Sequence, residues 1–173
     1  TSSESGMFIS VTVIGESGRH VLLRSGAKPD EAVCLSRKVG SAAESLKKEL
    51  NGEREYSHYR IPAEVETGKI LGELGVSSCI DVSDGLGQDA GHISAKSGVR
   101  IELYNEQVSE EDVFSGEEFA LVFTVSKDKL KKVAEAIKNR TGRDILLIGE
   151  TSEGKGVFLN KKDISQKGFR HSI

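Results

Sequence analysis

The sequence predicts an α+β fold, a mixed β-sheet with helices packed against it. Three observations support this. Short apolar alternations of strand length recur along all 173 residues. Segments with helical periodicity are interleaved among them. Some strand candidates follow each other directly as hairpins, while others are separated by a helix.

In chain order, Phe8 to Gly15 alternates as a first strand and His20 to Arg24 as a short second one. Gly26 to Asp30 is a turn, and Glu31 to Leu35 is a strand. Ser41 and Glu44 have capping-box spacing, which predicts a helix from Ser41 to about Leu50. Asn51 to Ser57 is a polar loop. A helix follows Pro62, with Ile70, Leu71 and Leu74 on its buried face. Ser78 to Val82 is a buried strand. The next helix carries Leu86, Ala90 and Ile93 on one face and stops at Gly98. Val99 to Leu103 and Phe119 to Val125 are strands. Ser126 caps a helix whose buried stripe is Leu130, Val133, Ala134 and Ile137. Asp144 to Gly149 is a strand, and a turn at Glu153 to Gly156 leads into the strand Val157 to Leu159.

Composition narrows the function classes. A net charge of −3 with dispersed basic residues gives no nucleic-acid surface. No apolar run approaches the roughly 20 residues of a membrane helix, and the first residues show neither a signal-peptide nor a transit-peptide pattern. Cys34 and Cys79 lie far apart in apolar runs, without metal-binding spacing. They read as two free, buried thiols of a cytoplasmic protein.

Asp81-Val82-Ser83-Asp84-Gly85 is the most informative stretch. Strand period places Asp81 and Ser83 on one side, and Asp84 falls at the turn before a helix. Carboxylate and hydroxyl oxygens suit a hard cation such as magnesium. The same residues also suit a helix cap, with Ser83 or Asp84 capping and Asp81 taking a backbone hydrogen bond. Ser115-Gly116-Glu117-Glu118-Phe119 places two acids at the entrance to a strand, as a site or as a solvated turn. Gly15-Glu16-Ser17-Gly18 lacks the Lys-Ser/Thr ending of a phosphate-binding loop, and Glu153-Gly154-Lys155-Gly156 precedes a strand rather than a helix. The isolated histidines, His92 among them, give no Ser/His/Asp pattern.

Taken together, several stretches resemble the thiamine-monophosphate kinase family. They occur in the family's order: Ile9 to Gly15, Arg24 to Pro29, Gly40 to Ala43, Ile80 to Leu86 with Asp89 and His92-Ile93, Ser97 to Val99, Gly116 to Phe119, and Gly168 to His171. The wider group includes aminoimidazole ribonucleotide synthetase, selenophosphate synthetase and a hydrogenase maturation protein. The resemblance implies a C-terminal domain of the aminoimidazole ribonucleotide synthetase-like type over residues 19–173. Residues 1–18 would then be a remnant strand of a missing N-terminal ATP-binding domain. It implies ATP- and Mg2+-dependent phosphoryl transfer to thiamine monophosphate, giving thiamine diphosphate, with this piece inactive alone and the full-length protein a homodimer.

Residue by residue, the resemblance makes Asp81 and Asp84 magnesium ligands and Ser83 and Arg24 ATP contacts. Glu117, Glu118 and Phe169 become substrate contacts. The sequence departs from the family at Glu118, Phe119 and Ala120, where Asp, Tyr and Glu are usual. It also departs at Asp30-Glu31, where Gly-Asp is usual, and at Arg170 and Ser172, where Asp and Phe are usual. Two other readings share these residues: a sibling enzyme with another substrate, and a non-catalytic ligand-binding domain.

Overall fold

The computed structural model describes residue 6 and residues 9–16, 20–53 and 61–168. Its strands are β1 (Glu31–Leu35), β2 (Ser78–Asp81), β3 (Val99–Leu103), β4 (Leu121–Ser126), β5 (Leu146–Glu153), β6 (Gly156–Leu159) and β7 (Lys162–Asp163). Its helices are α1 (Ser41–Leu50), α2 (Val65–Leu74), α3 (Leu86–Ser97), α4 (Glu110–Phe114) and α5 (Lys127–Thr141). The strands form one sheet in the order β2-β4-β1-β5-β3-β6-β7. Neighbours are antiparallel except β3 and β6, which run parallel, so the sheet is mixed as expected.

Strand β1 shows why the sheet carries helices on both faces. All five of its residues are buried. Val33 and Leu35 join one core cluster, and Ala32 and Cys34 join the other. Period-2 alternation turns one apolar strand into the floor of two cores. On one side α3 packs through Leu86, Ala90 and Ile93, with α4 contributing Val113. On the other, α2 and α5 pack through Ile70, Leu71, Val133 and Ile137 against Phe123. Cys34 and Cys79 pair across the strands with Phe123 from either side. Both are free, and burial pushes each thiol up to about 12.

The elements from β1 onward follow the sequence closely, with informative exceptions. Residues 9–16 form no strand: Ile9, Val11, Val13 and Ile14 are 73 to 93% exposed. An alternating segment becomes a strand only when a neighbouring edge takes its backbone hydrogen bonds. Residues 20–24 form no strand either. They lie beside β2, where Cys79 N donates to Leu23 O at 2.8 Å. Ser41 does not cap α1; the cap position is Gly40, and Ser41 is the first helical residue. Ser126 stands at the expected boundary of α5, but its hydroxyl makes no capping bond. The strand expected from Phe119 begins at Leu121, because Glu117 and Phe119 have left-handed backbones (φ 56° and 51°).

Short α4 and β7 have no counterpart in the sequence reading. Helix α4 is held by a capping box between Ser109 and Asp112. No helix among the described residues is long and apolar enough to cross a membrane.

Candidate functional site

The stretch after β2 turns sharply before α3 begins. Gly85 is the N-cap of α3, with φ 129° and no side-chain capping bond, so neither Ser83 nor Asp84 caps the helix. The turn is held from inside the helix instead. One oxygen of Asp89, Oδ2, accepts from Ser83 N (2.9 Å), Asp84 N (3.0 Å) and Gly85 N (3.1 Å). Asp89 is 1% exposed. Burial raises its carboxyl above the ordinary carboxylate range, against the pull of the three amides, and neighbouring Asp84 raises it further. Asp89 thus satisfies the backbone donors of the turn, on which the side chains of Ser83 and Asp84 are half-buried. Gln88 Nε2 donates to Asp84 Oδ2 at 3.0 Å and orients that carboxylate.

Two further segments close on this turn. Glu117 N donates to Ser83 O (2.8 Å) and Phe119 N to Val82 O (2.7 Å), which docks the 115–119 turn against residues 82–83. Gly116 permits the approach, since a Cβ there would lie 3.0 Å from Ser83 O. Segment 164–168 reaches the same place from the other side. Gln88 N donates to Lys167 O at 3.0 Å, and a Cβ on Gly168 would stand 2.6 Å from Asp84 O. The fold therefore brings the Ser83/Asp84 turn, the Glu117/Glu118 turn and the segment leading to residue 169 together. Phe169 itself lies outside the described residues.

The acids of the second turn part company. Glu117 is exposed. Glu118, expected beside the substrate with it, is drawn wholly into the interior at 0% exposure. Its Oε1 accepts from Gly40 N (2.7 Å), Ala42 N (2.9 Å) and Ser115 Oγ (2.6 Å), and Ser41 Oγ donates to Oε2 (3.2 Å). Helix α1 thus has its first amides satisfied by a carboxylate distant in sequence. Burial pushes the Glu118 carboxyl up, but the donors at Ser115, Ala42, Gly40 and Ser41 together outweigh it and hold it below the ordinary value of 4.5.

The sign of the pH effect follows. A carboxyl lowered in the fold contributes stability that is present above the unfolded value and lost as pH falls through the folded one. The wild-type chain is expected to lose stability relative to Glu118→Gln as pH drops below about 4.5. Urea unfolding of both proteins between pH 3 and 6 checks this; a pH-independent difference contradicts it.

Asp81 and Arg24 lie at a different opening. Both line an open groove of about 420 Å³ with Leu22, Leu23, Ser25 and Lys96. Asp81 is half-buried at the end of β2, and Arg24 is exposed. The described residues hold no group of three or more His, Cys, Asp or Glu side chains that could bind a metal. Asp81 and Asp84 offer carboxylate oxygens from two ends of a short turn. Carboxylate oxygens are the donor type magnesium takes, usually alongside phosphate oxygens and water.

Residues 16–162 match the AIR synthase related protein, C-terminal domain family. This chain belongs to that family. Its expected fold class, a C-terminal domain of the aminoimidazole ribonucleotide synthetase-like type, is the one observed. Among individual relatives, thiamine-monophosphate kinase of Aquifex aeolicus is 30% identical over 94% of this chain and 58% of its own length. The Pyrococcus horikoshii enzyme of the same name is 32% identical over 89% of this chain and 54% of its own. The structure of AaThiL complexed with AMPPCP and TMP superposes with a TM-score of 0.72 and 27% identity, over 88% of this chain and 55% of that one. The resemblance to the C-terminal portion of thiamine-monophosphate kinase therefore extends through nearly all of the chain. The chain spans a little over half the length of these relatives.

Asp89, Gln88 and the glycines of α3 were missed as site-forming residues. For Asp89 a signal exists: Leu86, Asp89 and Ile93 share a helical face, so an acid stands on an apolar stripe. A buried acid needs donors, and the preceding turn supplies them.

Proposed function

We propose that the chain is the substrate-binding portion of a thiamine-phosphate kinase, which transfers a phosphoryl group from ATP to thiamine monophosphate and forms thiamine diphosphate. The observation that carries this reading is the convergence of three motif-bearing segments: 81–85 and 115–119 are joined by backbone hydrogen bonds, and 164–168 is tied to Gln88 of α3 with Gly168 close against Asp84 O. Residues 1–18 would complete a preceding ATP-binding domain, and 19–173 would form the present domain. The isolated piece would be inactive. The full-length protein would be a cytoplasmic homodimer, with no nucleic-acid or membrane partner.

The chemistry asks little covalent work of the protein. A phosphate monoester has its second ionisation near pH 6, so at neutral pH it is already a nucleophile and needs no general base. The obstacle is charge. Two unit charges about 4 Å apart repel by about 4 kcal/mol at an effective dielectric near 20. Asp81 and Asp84 would hold magnesium, which when bound supplies the positive charge that neutralises and aligns the phosphates. Arg24, with Lys96 in the same groove, adds fixed positive charge where a polyphosphate would approach. Ser83 contributes a hydroxyl to the nucleotide. Glu117 offers an exposed carboxylate to the cationic ring of thiamine phosphate, and Phe169 an aromatic face.

Calorimetric titration of thiamine phosphate and thiamine diphosphate, with and without magnesium, tests this on the wild-type chain and Asp81→Ala. Diphosphate binding is expected to require magnesium and to be lost in the variant. Diphosphate binding that ignores both magnesium and the substitution would sink the kinase reading and favour a ligand-binding domain.

A further inference from the structure

We infer that Arg37 and Glu118 are positioning residues: a largely buried ion pair whose task is to set the outward stance of Glu117 in the site. The inference rests on the proposed role of Glu117 in binding thiamine phosphate. Arg37 grips the turn in two places, donating through Nη2 to the backbone carbonyl of Glu118 and lying with Nη1 3.4 Å from Glu118 Oε2. Its Nη1 also donates to Lys38 O at 3.3 Å. Its buried Nε makes no hydrogen bond but stands 3.4 Å from Glu64 Oε1. Glu64, the N-cap residue of α2, is paired in turn with Arg143 at 2.9 and 3.1 Å. One line of charges thus joins the end of β1, the start of α1, the 115–119 turn and α2.

Capping α1 does not account for this arrangement. That helix buries only Ser45, so little of the core depends on its N-terminus. Removing a carboxylate and a guanidinium from water costs several kcal/mol per ion before their attraction offsets it. What the pair does uniquely is local. Glu118 lies between two left-handed residues, Glu117 and Phe119. Drawing Glu118 inward onto Arg37, Gly40 and Ala42 leaves its neighbours facing outward, and the bonds to Ser83 O and Val82 O then hold them there. Left-handed backbone at two bulky residues is unfavourable by itself and persists only when its surroundings enforce it.

The test is a double-mutant cycle on the whole chain with amide exchange as a second readout. Thiamine phosphate affinity is measured for wild type, Glu118→Gln, Glu117→Gln and the double variant, at a temperature where circular dichroism shows each folded. Each single variant is expected to bind about tenfold more weakly, the scale of one charge-assisted hydrogen bond. The double variant should bind no more weakly than Glu117→Gln alone. Arg37→Lys, which keeps the charge but not the two-pronged grip, should fall between wild type and Glu118→Gln. In Glu118→Gln without ligand, the Glu117 and Phe119 amides should exchange faster along with those of Gly40 and Ala42. Effects that multiply in the double variant overturn the inference. So does faster exchange confined to Gly40 and Ala42, which would mark a helix cap only. A wild-type chain that binds no thiamine phosphate removes the functional reading, and exchange at Glu117 and Phe119 then decides the coupling.

Discussion

Asp89→Ala is expected to lower the stability of the chain by about 4 kcal/mol and to remove binding at the neighbouring turn. Three consecutive amides, on Ser83, Asp84 and Gly85, converge on one carboxylate oxygen. Alanine supplies no acceptor. Each stranded amide costs about 1 to 3 kcal/mol when water cannot reach it. Ser83 and Asp84 are half-buried, so water recovers part of their loss, whereas Gly85 is buried and bears it in full. Asp89 also carries its own burial cost, as its raised carboxyl shows. Those two offsets hold the net effect well below three full penalties. Asp89→Asn keeps one acceptor oxygen in the same place and should recover most of the loss. Urea unfolding at pH 7 reads this directly. A stability within 1 kcal/mol of wild type for Asp89→Ala would show that the turn stands without its acceptor.

The sequence displays the scaffold of this site more readily than its internal wiring. Strands β1 and β3 and helices α3 and α5 stand close to where apolar periodicity places them, because each buries a face whose pattern is local. Residues 9–16 and 20–24 carry equally good alternation but form no strand here, since alternation cannot say whether a partner edge is present. The Asp81-Ser83-Asp84 turn is visible as polar residues ending a buried strand. What bears on the competing capping explanation is that Gly85, rather than Ser83 or Asp84, holds the N-cap position of α3. Glu117 and Glu118 look alike as neighbours in a Gly-Glu-Glu run. What separates them is left-handed backbone at Glu117 and Phe119, which propensity does not announce for such side chains. Arg37 had no motif at all: its partners lie at positions 64 and 118, and only the sheet order brings them together.

Gly87→Val should cost about 3 kcal/mol and separate segment 164–168 from the site, because α3 presents a bare glycine face to it. Gly87 lies in the first turn of α3. A Cβ there would stand 2.7 Å from Ile164 O, 2.9 Å from Lys167 O and 2.9 Å from Val113 Cγ1. One turn further on, a Cβ on Gly91 would meet Ser165 O at 2.5 Å. Glycines four apart make a groove on one side of a helix, and residues 164–167 run along it in backbone contact. Two backbone oxygens of the segment and the Val113 side chain leave a valine no room, so the segment must lift. Lifting breaks Gln88 N to Lys167 O and moves Gly168 away from Asp84. Under the proposed function, residue 169 leaves the substrate with it, so affinity for thiamine phosphate should fall while the sheet core keeps its cooperative unfolding. Gly87→Ala, smaller by two methyl groups, should show a weaker form of the same defect. Calorimetric titration beside urea unfolding checks the pair. Unchanged affinity in a destabilised Gly87→Val protein would mean that the 164–168 segment packs on α3 without serving the site.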